Sequence, residues 1–183
     1  MKILKRLFII LLIILIIFLI IFYAFDLKTT IMKKVYSQEY AEYVNTYAEQ
    51  YNVDPLLIFA IIKAESNFNV EAKSHNNAKG LMQLMENTAR EVSNEEIIDL
   101  YDAETNIRLG TCYFAKLLEK YNYQVGIALA AYNAGMGNVN TWIARGIIGS
   151  DGSDLENIPY KETNMYVRKI LNNYEIYKEL YEK

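Results

Sequence analysis

The sequence has very few of the side chains that support nucleophilic or metal-dependent chemistry. Its 183 residues include one cysteine, Cys112, and one histidine, His75. One cysteine cannot form an intramolecular disulfide, and one thiol with one imidazole is too few for a zinc cluster or a Cys-His catalytic pair. Cys112 lies among apolar residues, which favours a packed side chain. His75 lies in a polar stretch, which favours a solvated side chain. We therefore expect carboxylate chemistry, with no metal and no cofactor.

Basic side chains are also scarce. There are 19 Lys and Arg residues against 22 Asp and Glu residues, a formal net charge of −3. Lys2, Lys5 and Arg6 precede a long apolar run, so everything beyond them carries 16 basic against 22 acidic groups, about −6. Nucleic-acid binding needs a basic surface, so we expect no nucleic-acid partner. An anionic polymer would have to be held by local contacts rather than by long-range attraction.

The apolar run is long enough to cross a membrane. Leu7 to Phe25 contains no charged residue, and a helix of that length spans roughly 28 Å at about 1.5 Å per residue. A cleaved signal peptide is the alternative, but such peptides end in small residues, whereas this run ends Phe22-Tyr-Ala-Phe-Asp26. The basic flank predicts a single-pass protein of the cell membrane with the rest of the chain outside the cytoplasm.

We accordingly divide the chain into three parts. Residues 1–25 are predicted to form a transmembrane anchor and residues 26–36 a short stalk. Residues 37–183 are predicted to form one domain. Within it the sequence shows no convincing strand and no internal repeat, so the predicted fold class is all-α. Helices are predicted where apolar residues recur at helical spacing or where polar caps precede a short run. They cover residues 36–51, 56–65, 87–91, 93–98, 104–121, 125–134 and 139–144, and the stretch from Pro159 to the C-terminus.

The stretch from Asp54 to Glu65 is the most informative of these. Asp54 is a suitable N-cap and Pro55 a suitable first-turn residue. Leu56 to Ala64 has one charge, Lys63, which predicts a helix buried nearly all round at the centre of the domain. Glu65 falls at its C-terminal end, where burial and the helix dipole would both raise the pKa of the carboxyl. The alternative is that Glu65 simply faces water at a helix end.

Four short stretches stand out against this helical background. They are Glu65-Ser66, Gly80-Leu-Met-Gln83, Ala131-Tyr-Asn-Ala-Gly135 and the run from Pro159 to Val167, which contains Glu162-Thr163 and Tyr166. Each alone is ordinary: a helix end with a glycine cap, a loop-to-helix junction or an acid in a first turn. In this order and spacing they resemble the catalytic domain of the soluble lytic transglycosylase type, glycoside hydrolase family 23. The resemblance covers roughly residues 40 to 180.

The resemblance implies a lysozyme-like helical domain with a saccharide groove, and it assigns the site residue by residue. Glu65 corresponds to the single catalytic acid. The residues that correspond to substrate-binding groups are Ser74, Gln83, Met85, Tyr132, Asn133, Glu162 and Tyr166. Three positions depart from the usual pattern, because His75 and Glu86 stand where prolines are common and Asn164 where an arginine is common.

The implied activity is cleavage of the glycan strands of peptidoglycan. Glu65 would protonate the leaving oxygen, the substrate's N-acetyl group would stabilise the cation, and the sugar's 6-hydroxyl would close a 1,6-anhydro ring. Two alternatives stay open: a goose-type lysozyme-like hydrolase, and a catalytically silent wall-binding module of an envelope complex. The expected partners are peptidoglycan strands and the membrane, with an envelope or secretion complex as a further possibility.

Overall fold

The computed structural model describes residues 2–93 and 98–182, which divide into two compact units, Met1–Ser37 and Gln38–Lys183. The first unit is one long helix, α1, over Lys2–Val35. Its portion Ile10–Val35 is long and apolar enough to cross a membrane. The large apolar side chains from Ile10 to Phe22 are exposed, so no protein core covers them. Residues 26–35 of the stalk predicted over residues 26–36 continue the same helix.

The second unit is helical. Its α-helices are α2 Ala41–Gln50, α3 Pro55–Glu65, α4 Glu86–Val92, α5 Ala103–Lys120, α6 Val125–Ala134, α7 Met136–Ala144 and α8 Lys161–Tyr181, with a 3₁₀ turn at Leu155–Asn157. Within the described residues, β-pairing is limited to the isolated bridges Lys73–Lys79 and Lys79–Leu84. The predicted all-α class is therefore confirmed.

Two helix boundaries differ from the sequence prediction. The helix expected from residue 36 begins only at Ala41, because Tyr40 adopts a left-handed conformation with φ 60° immediately before it. The helix expected from Val139 begins earlier, at Met136, directly after Gly135 with φ 82°. The short helix predicted over residues 93–98 falls largely on residues 94–97, outside the described residues.

Helix α3 is the centre of the second unit. Asp54 accepts a hydrogen bond from the Leu56 amide at 2.8 Å, and Pro55 occupies the first turn, as the sequence predicts. Every residue from Leu56 to Ile62 is buried. Helix α3 packs against α2 and, most extensively, α8, where the Phe59 and Tyr177 rings stack with centroids 5.8 Å apart. This packing places the C-terminal end of α3, and with it Glu65, beside the middle of α8.

Candidate active site

Glu65 is the last residue of α3 and is partly buried. Loss of hydration raises the pKa of its carboxyl from the usual 4.5 to about 7. A hydrogen bond from Tyr166 and the positive charge of Lys169 act in the opposite direction, because both favour the ionised form, but burial outweighs them. Near neutral pH the carboxyl is thus divided between its protonated and ionised forms, which suits a group that first gives and then takes a proton.

Helix α8 supplies the groups that touch the end of α3. The Tyr166 hydroxyl donates a hydrogen bond to Glu65 Oε1 at 2.6 Å. One turn later, Lys169 Nζ donates to the Ala64 carbonyl at 2.8 Å. Residues three apart on a helix share a face, so α8 presents both groups to α3 together. The ammonium satisfies a carbonyl that the helix end leaves without a partner and places a positive charge near the carboxyl.

Tyr132, near the end of α6, lies on the other side of the site. Its hydroxyl donates to the Met82 carbonyl at 2.8 Å rather than to Glu65. Its ring packs against Tyr113 and Phe114, with centroids 5.5 and 6.0 Å away. Burial raises the pKa of the Tyr132 phenol, and the negative charge of Glu65 raises it further. The phenol therefore lies close enough to Glu65 for the carboxylate charge to raise its pKa. Its hydrogen bond, however, goes to the backbone of the loop that contains Met82.

Asn133 is held by α8. Its side-chain oxygen accepts a hydrogen bond of 2.7 Å from the hydroxyl of Thr163, which is buried. Thr163 occupies the oxygen, and the amide nitrogen donates to no other residue that the structure describes. The exposed Asn133 side chain can therefore offer two N–H groups to a ligand.

The loop between α3 and α4 carries the Gly80–Gln83 segment, and glycine is required at position 80. Gly80 has φ +74°, and a Cβ atom there would lie 2.2 Å from both Asn106 Nδ2 and the Leu100 carbonyl oxygen. The Asn106 amide fills this space and donates to the Lys79 and Leu100 carbonyls at 2.9 and 2.8 Å. Its oxygen accepts from the Met82 amide at 2.8 Å. A fully buried asparagine thus fixes the backbone that Tyr132 also binds.

Two of the residues expected to contact substrate make hydrogen bonds within this loop. Gln83, with φ +49°, donates from Nε2 to the Ala72 and Gly80 carbonyls at 3.0 and 2.9 Å. Ser74 Oγ accepts from the Ala78 amide at 3.0 Å. Their side chains therefore shape the loop. These bonds leave the Gln83 side-chain oxygen and the Ser74 hydroxyl hydrogen to interact with a ligand.

Met85 and Glu162, like Asn133, are exposed. Met85 immediately precedes α4 and is 41% exposed. Glu162 lies in the first turn of α8, one helical turn before Tyr166, and bonds to no other described residue. The structure therefore gathers Glu65, Tyr132 and Tyr166 closely, ties Asn133 to α8, and leaves Met85 and Glu162 facing solvent.

Three residues of this site were not predicted from the sequence: Asn106, Thr163 and Lys169. Asn106 left a usable signal, because it falls on the same helical stripe as Gly110, Tyr113 and Leu117, where a polar residue is unexpected. Thr163 and Lys169 left none, because their partners, Asn133 and Ala64, lie far away in sequence. Among the described residues, no group of three or more His, Cys, Asp or Glu side chains is arranged to hold a metal ion.

The chain is similar to known proteins of one family. The family model of the transglycosylase SLT domain matches residues 42–147. A soluble lytic murein transglycosylase from Salmonella typhimurium is 34% identical over 140 residues, which are 72% of this chain and 22% of that protein. A membrane-bound lytic murein transglycosylase F from Desulfosudis oleivorans is 39% identical over 98 residues, 50% of this chain and 21% of that protein.

A solved structure shows the same fold. It is an inactive glutamate-to-glutamine mutant of the lytic transglycosylase Slt from Pseudomonas aeruginosa, with a TM-score of 0.74 and 32% identity, matching 81% of this chain and 25% of that one. The chain thus spans about a quarter of the length of these proteins. Because the family model covers more than half of the sequence and the helices superpose on a family structure, the chain belongs to the transglycosylase SLT domain family.

Proposed function

We propose that the protein is a membrane-anchored peptidoglycan lytic transglycosylase. It would cleave the β-1,4 bond between N-acetylmuramic acid and N-acetylglucosamine and leave 1,6-anhydro-N-acetylmuramic acid ends. The observation that carries the proposal is Glu65, a carboxyl at the end of a buried helix whose pKa is raised to about 7 and which accepts a hydrogen bond from Tyr166. Relatives named lytic murein transglycosylases supply the substrate class.

The proposed reaction begins with Glu65 in its protonated form. Cleavage needs a proton on the leaving oxygen while positive charge builds at the anomeric carbon. Burial keeps the carboxyl protonated in a large fraction of molecules, so Glu65 can supply that proton. The Tyr166 hydroxyl then stabilises the carboxylate that remains, through its 2.6 Å hydrogen bond to Oε1.

We propose that the cation is then stabilised without a second acid, as in the family that the sequence resembles. Among the described residues, the side chains that shift the pKa of Glu65 are Tyr166 and Lys169, and neither is a carboxylate. A two-carboxylate glycosidase places its second acid beside the bond. We infer that the substrate's own N-acetyl oxygen stabilises the cation. The Asn133 amide nitrogen, which Thr163 does not occupy, would hold that acetamido group.

In the last step Glu65 acts as a base. The ionised carboxylate accepts the proton of the 6-hydroxyl, whose oxygen bonds to the anomeric carbon and closes the anhydro ring. The proton given to the leaving oxygen is thereby replaced on Glu65, and no water is consumed. A pKa near 7 makes both transfers accessible at neutral pH. A much more acidic group would rarely be protonated at that pH, and its carboxylate would be a weak base. A much less acidic group would release its proton less readily.

We also propose that α1 anchors the domain as a single-pass segment of the cell membrane, with residues 37–183 outside the cytoplasm. The support is the apolar, exposed surface of Ile10–Val35 and the basic residues Lys2, Lys5 and Arg6 before it. Membrane-bound members of the family are known among its relatives. Such an anchor would hold the site close to the wall.

Product analysis tests the proposed activity. Incubation of purified peptidoglycan with the full chain in mild detergent should release muropeptides that end in anhydro-N-acetylmuramic acid, each one water lighter than the hydrolysed form. Mass spectrometry with and without borohydride reduction separates the two, because anhydro ends cannot be reduced. Exclusively reducible ends would identify a hydrolase instead, and no release at all would favour a wall-binding module.

The pH dependence of the same reaction should respond to Lys169. The Lys169 ammonium lowers the pKa of Glu65, so Lys169→Met is expected to raise that pKa above about 7. Catalysis that needs protonated Glu65 declines as pH rises through its pKa, so the alkaline limb of kcat/KM should move to higher pH. Arg168→Met is the matched control, since this neighbouring exposed cation makes no contact with Glu65 among the described residues. An unmoved alkaline limb in Lys169→Met would contradict the assignment of Glu65 as the titrating acid.

A further inference from the structure

A cavity lies beside the loop that carries Ser74 and Gln83. Its volume is about 320 Å³. The residues that line it are Lys73, Asn76, Asn77, Lys79, Met85, Glu86 and Asn87. It lies between this loop and the first turn of α4, and Met85, expected to line the saccharide groove, is part of its wall. The cavity therefore adjoins the proposed groove without containing Glu65.

The cavity is locally cationic on a domain that is acidic overall. Lys79 Nζ lies 2.6 Å from Glu86 Oε1. The ammonium of Lys73 and the guanidinium of Arg90 also act on the Glu86 carboxylate and lower its pKa. The Asp99 carboxylate also acts on Lys79. Lys73 and Lys79 outnumber Glu86 among the lining residues, although the chain beyond Arg6 carries about six more acidic than basic groups. A negatively charged ligand is favoured at this position.

The wall is held in place by its own backbone. The bridges Lys73–Lys79 and Lys79–Leu84 close the loop on itself. Inside the first bridge, the Ser74 amide donates to the Ala78 carbonyl at 2.9 Å, and Asn77 takes a left-handed conformation with φ 65°. The lysines therefore project from a fixed turn, so less conformational entropy is lost when they bind a ligand.

The lining chemistry distinguishes a peptide from a sugar. Pyranose rings present apolar C–H faces, which need apolar or aromatic surface to leave water. Among the described residues that line this cavity, none is aromatic and Met85 is the one apolar side chain. Three asparagine amides instead offer donors and acceptors that match peptide N–H and C=O groups. Two ammonium groups match carboxylates.

We propose that this cavity binds the carboxylate-bearing stem peptide attached to a muramic acid unit in the adjacent groove. The inference rests on the proposed function, since it identifies the peptide of the same substrate as the ligand. Lys73 and Lys79 bind the peptide carboxylates, and the amides of Asn76, Asn77 and Asn87 bind its backbone. Glu86 limits the affinity for anions by neutralising Lys79. The cavity thereby favours strands with free stem carboxylates over strands whose peptides are amidated or removed.

Binding measurements with a chain that does not turn over test this inference. The full chain carrying Glu65→Gln, in detergent micelles, is titrated calorimetrically with three probes that share one N-acetylglucosamine–N-acetylmuramic acid disaccharide. One carries a stem tripeptide with free carboxylates, one carries the same peptide fully amidated, and one carries no peptide. Lys73→Gln and Lys79→Gln are added separately to this background, and Lys116→Gln, an exposed lysine on α5, is the matched control.

The expected result depends on the probe. Lys73→Gln and Lys79→Gln should each weaken binding of the free-carboxylate probe by about two- to fivefold, the usual range for exposed charge pairs. Glu86→Gln should strengthen it by a similar factor, and none of the three should change the other two probes. Equal losses with the peptide-free disaccharide would mean that the cavity holds glycan, and unchanged binding of all probes would mean that it holds no part of the substrate; either outcome overturns the inference. A failure of the proposed function is separate, because it would appear as the absence of anhydro products from the parent chain.

Discussion

Glu65→Gln is expected to reduce the release of soluble muropeptides by at least about 10²-fold, and by as much as about 10⁴-fold, the range that general acid–base catalysis supplies. Glutamine has nearly the shape of the protonated acid, and its oxygen can still accept the 2.6 Å hydrogen bond from Tyr166. What it lacks is a transferable proton. The loss should therefore appear in kcat rather than in substrate affinity. The measurement is the initial rate of muropeptide release from purified peptidoglycan.

A stability measurement separates this loss from misfolding. The pKa of Glu65 is higher in the folded chain, about 7, than the usual 4.5. The folded state therefore holds the proton more tightly than the unfolded state, and stability from this group is present below about pH 4.5 and is lost as pH rises to about 7. Glutamine does not titrate, so Glu65→Gln should remove this part of the pH dependence and unfold no earlier than the parent at pH 8.

The matched control is Glu119→Gln, which changes an exposed acid on α5. It should keep parental activity and the parental dependence of Tm on pH. Activity of Glu65→Gln close to that of the parent would refute the assignment of Glu65 as the acid. A large fall in Tm at every pH would instead show that the carboxyl is structural.

The fold was predictable from the sequence wherever a pattern reflects burial along one element. Helix α3 is specified by Asp54, Pro55 and the apolar run to Ile62. A capping residue and an unbroken apolar run are local patterns that can be read from the sequence. The position of Glu65 at the end of that helix follows directly, and so does the direction of its pKa. Helix boundaries at Ala41 and Met136 were missed because each is set by one residue with positive φ, Tyr40 or Gly135, and not by periodicity.

The contacts within the site were much less predictable. The family resemblance assigned both Tyr132 and Tyr166 to the site and allowed Tyr132 to bond either Glu65 or the sugar, whereas the structure gives the hydrogen bond on Glu65 to Tyr166. The partners are separated by 101 residues, so no local pattern encodes the pairing. The lysine at position 169 resembled any exposed helical cation until the packing of α8 on α3 placed it against Ala64. These contacts are determined by long-range packing, which helix propensity and residue spacing do not encode.

Replacement of Asn106 is expected to destabilise the folded domain. Asn106 is fully buried, and its amide joins three backbone groups from Lys79, Met82 and Leu100. Asn106→Leu keeps the volume but removes the partner of the Met82 N–H and of the Leu100 C=O, whereas the Lys79 carbonyl still accepts from the Leu84 amide. Each buried polar group left unsatisfied costs about 1–3 kcal/mol, so the free energy of unfolding should fall by roughly 2 kcal/mol or more. For a chain of this size that corresponds to a Tm lower by about 4 °C or more.

The effect should extend to activity, because the same backbone supports the site. The Met82 carbonyl accepts the Tyr132 hydroxyl, and Gly80 fits against the Asn106 amide without a Cβ atom. Loosening this segment shifts Tyr132 and the groove-side loop away from the geometry that catalysis needs, where about 1 Å of displacement can cost about 10²-fold in rate.

Thermal unfolding of the full chain in detergent, followed by circular dichroism, gives the stability change, and muropeptide release well below Tm gives the activity change. Asn172→Leu, at an exposed position on α8, is the control and should alter neither. A parental Tm for Asn106→Leu would show that the three hydrogen bonds contribute no net stability, and that the loop is held by its own bridges at Lys79 and by the Ser66 hydroxyl on the Leu81 carbonyl.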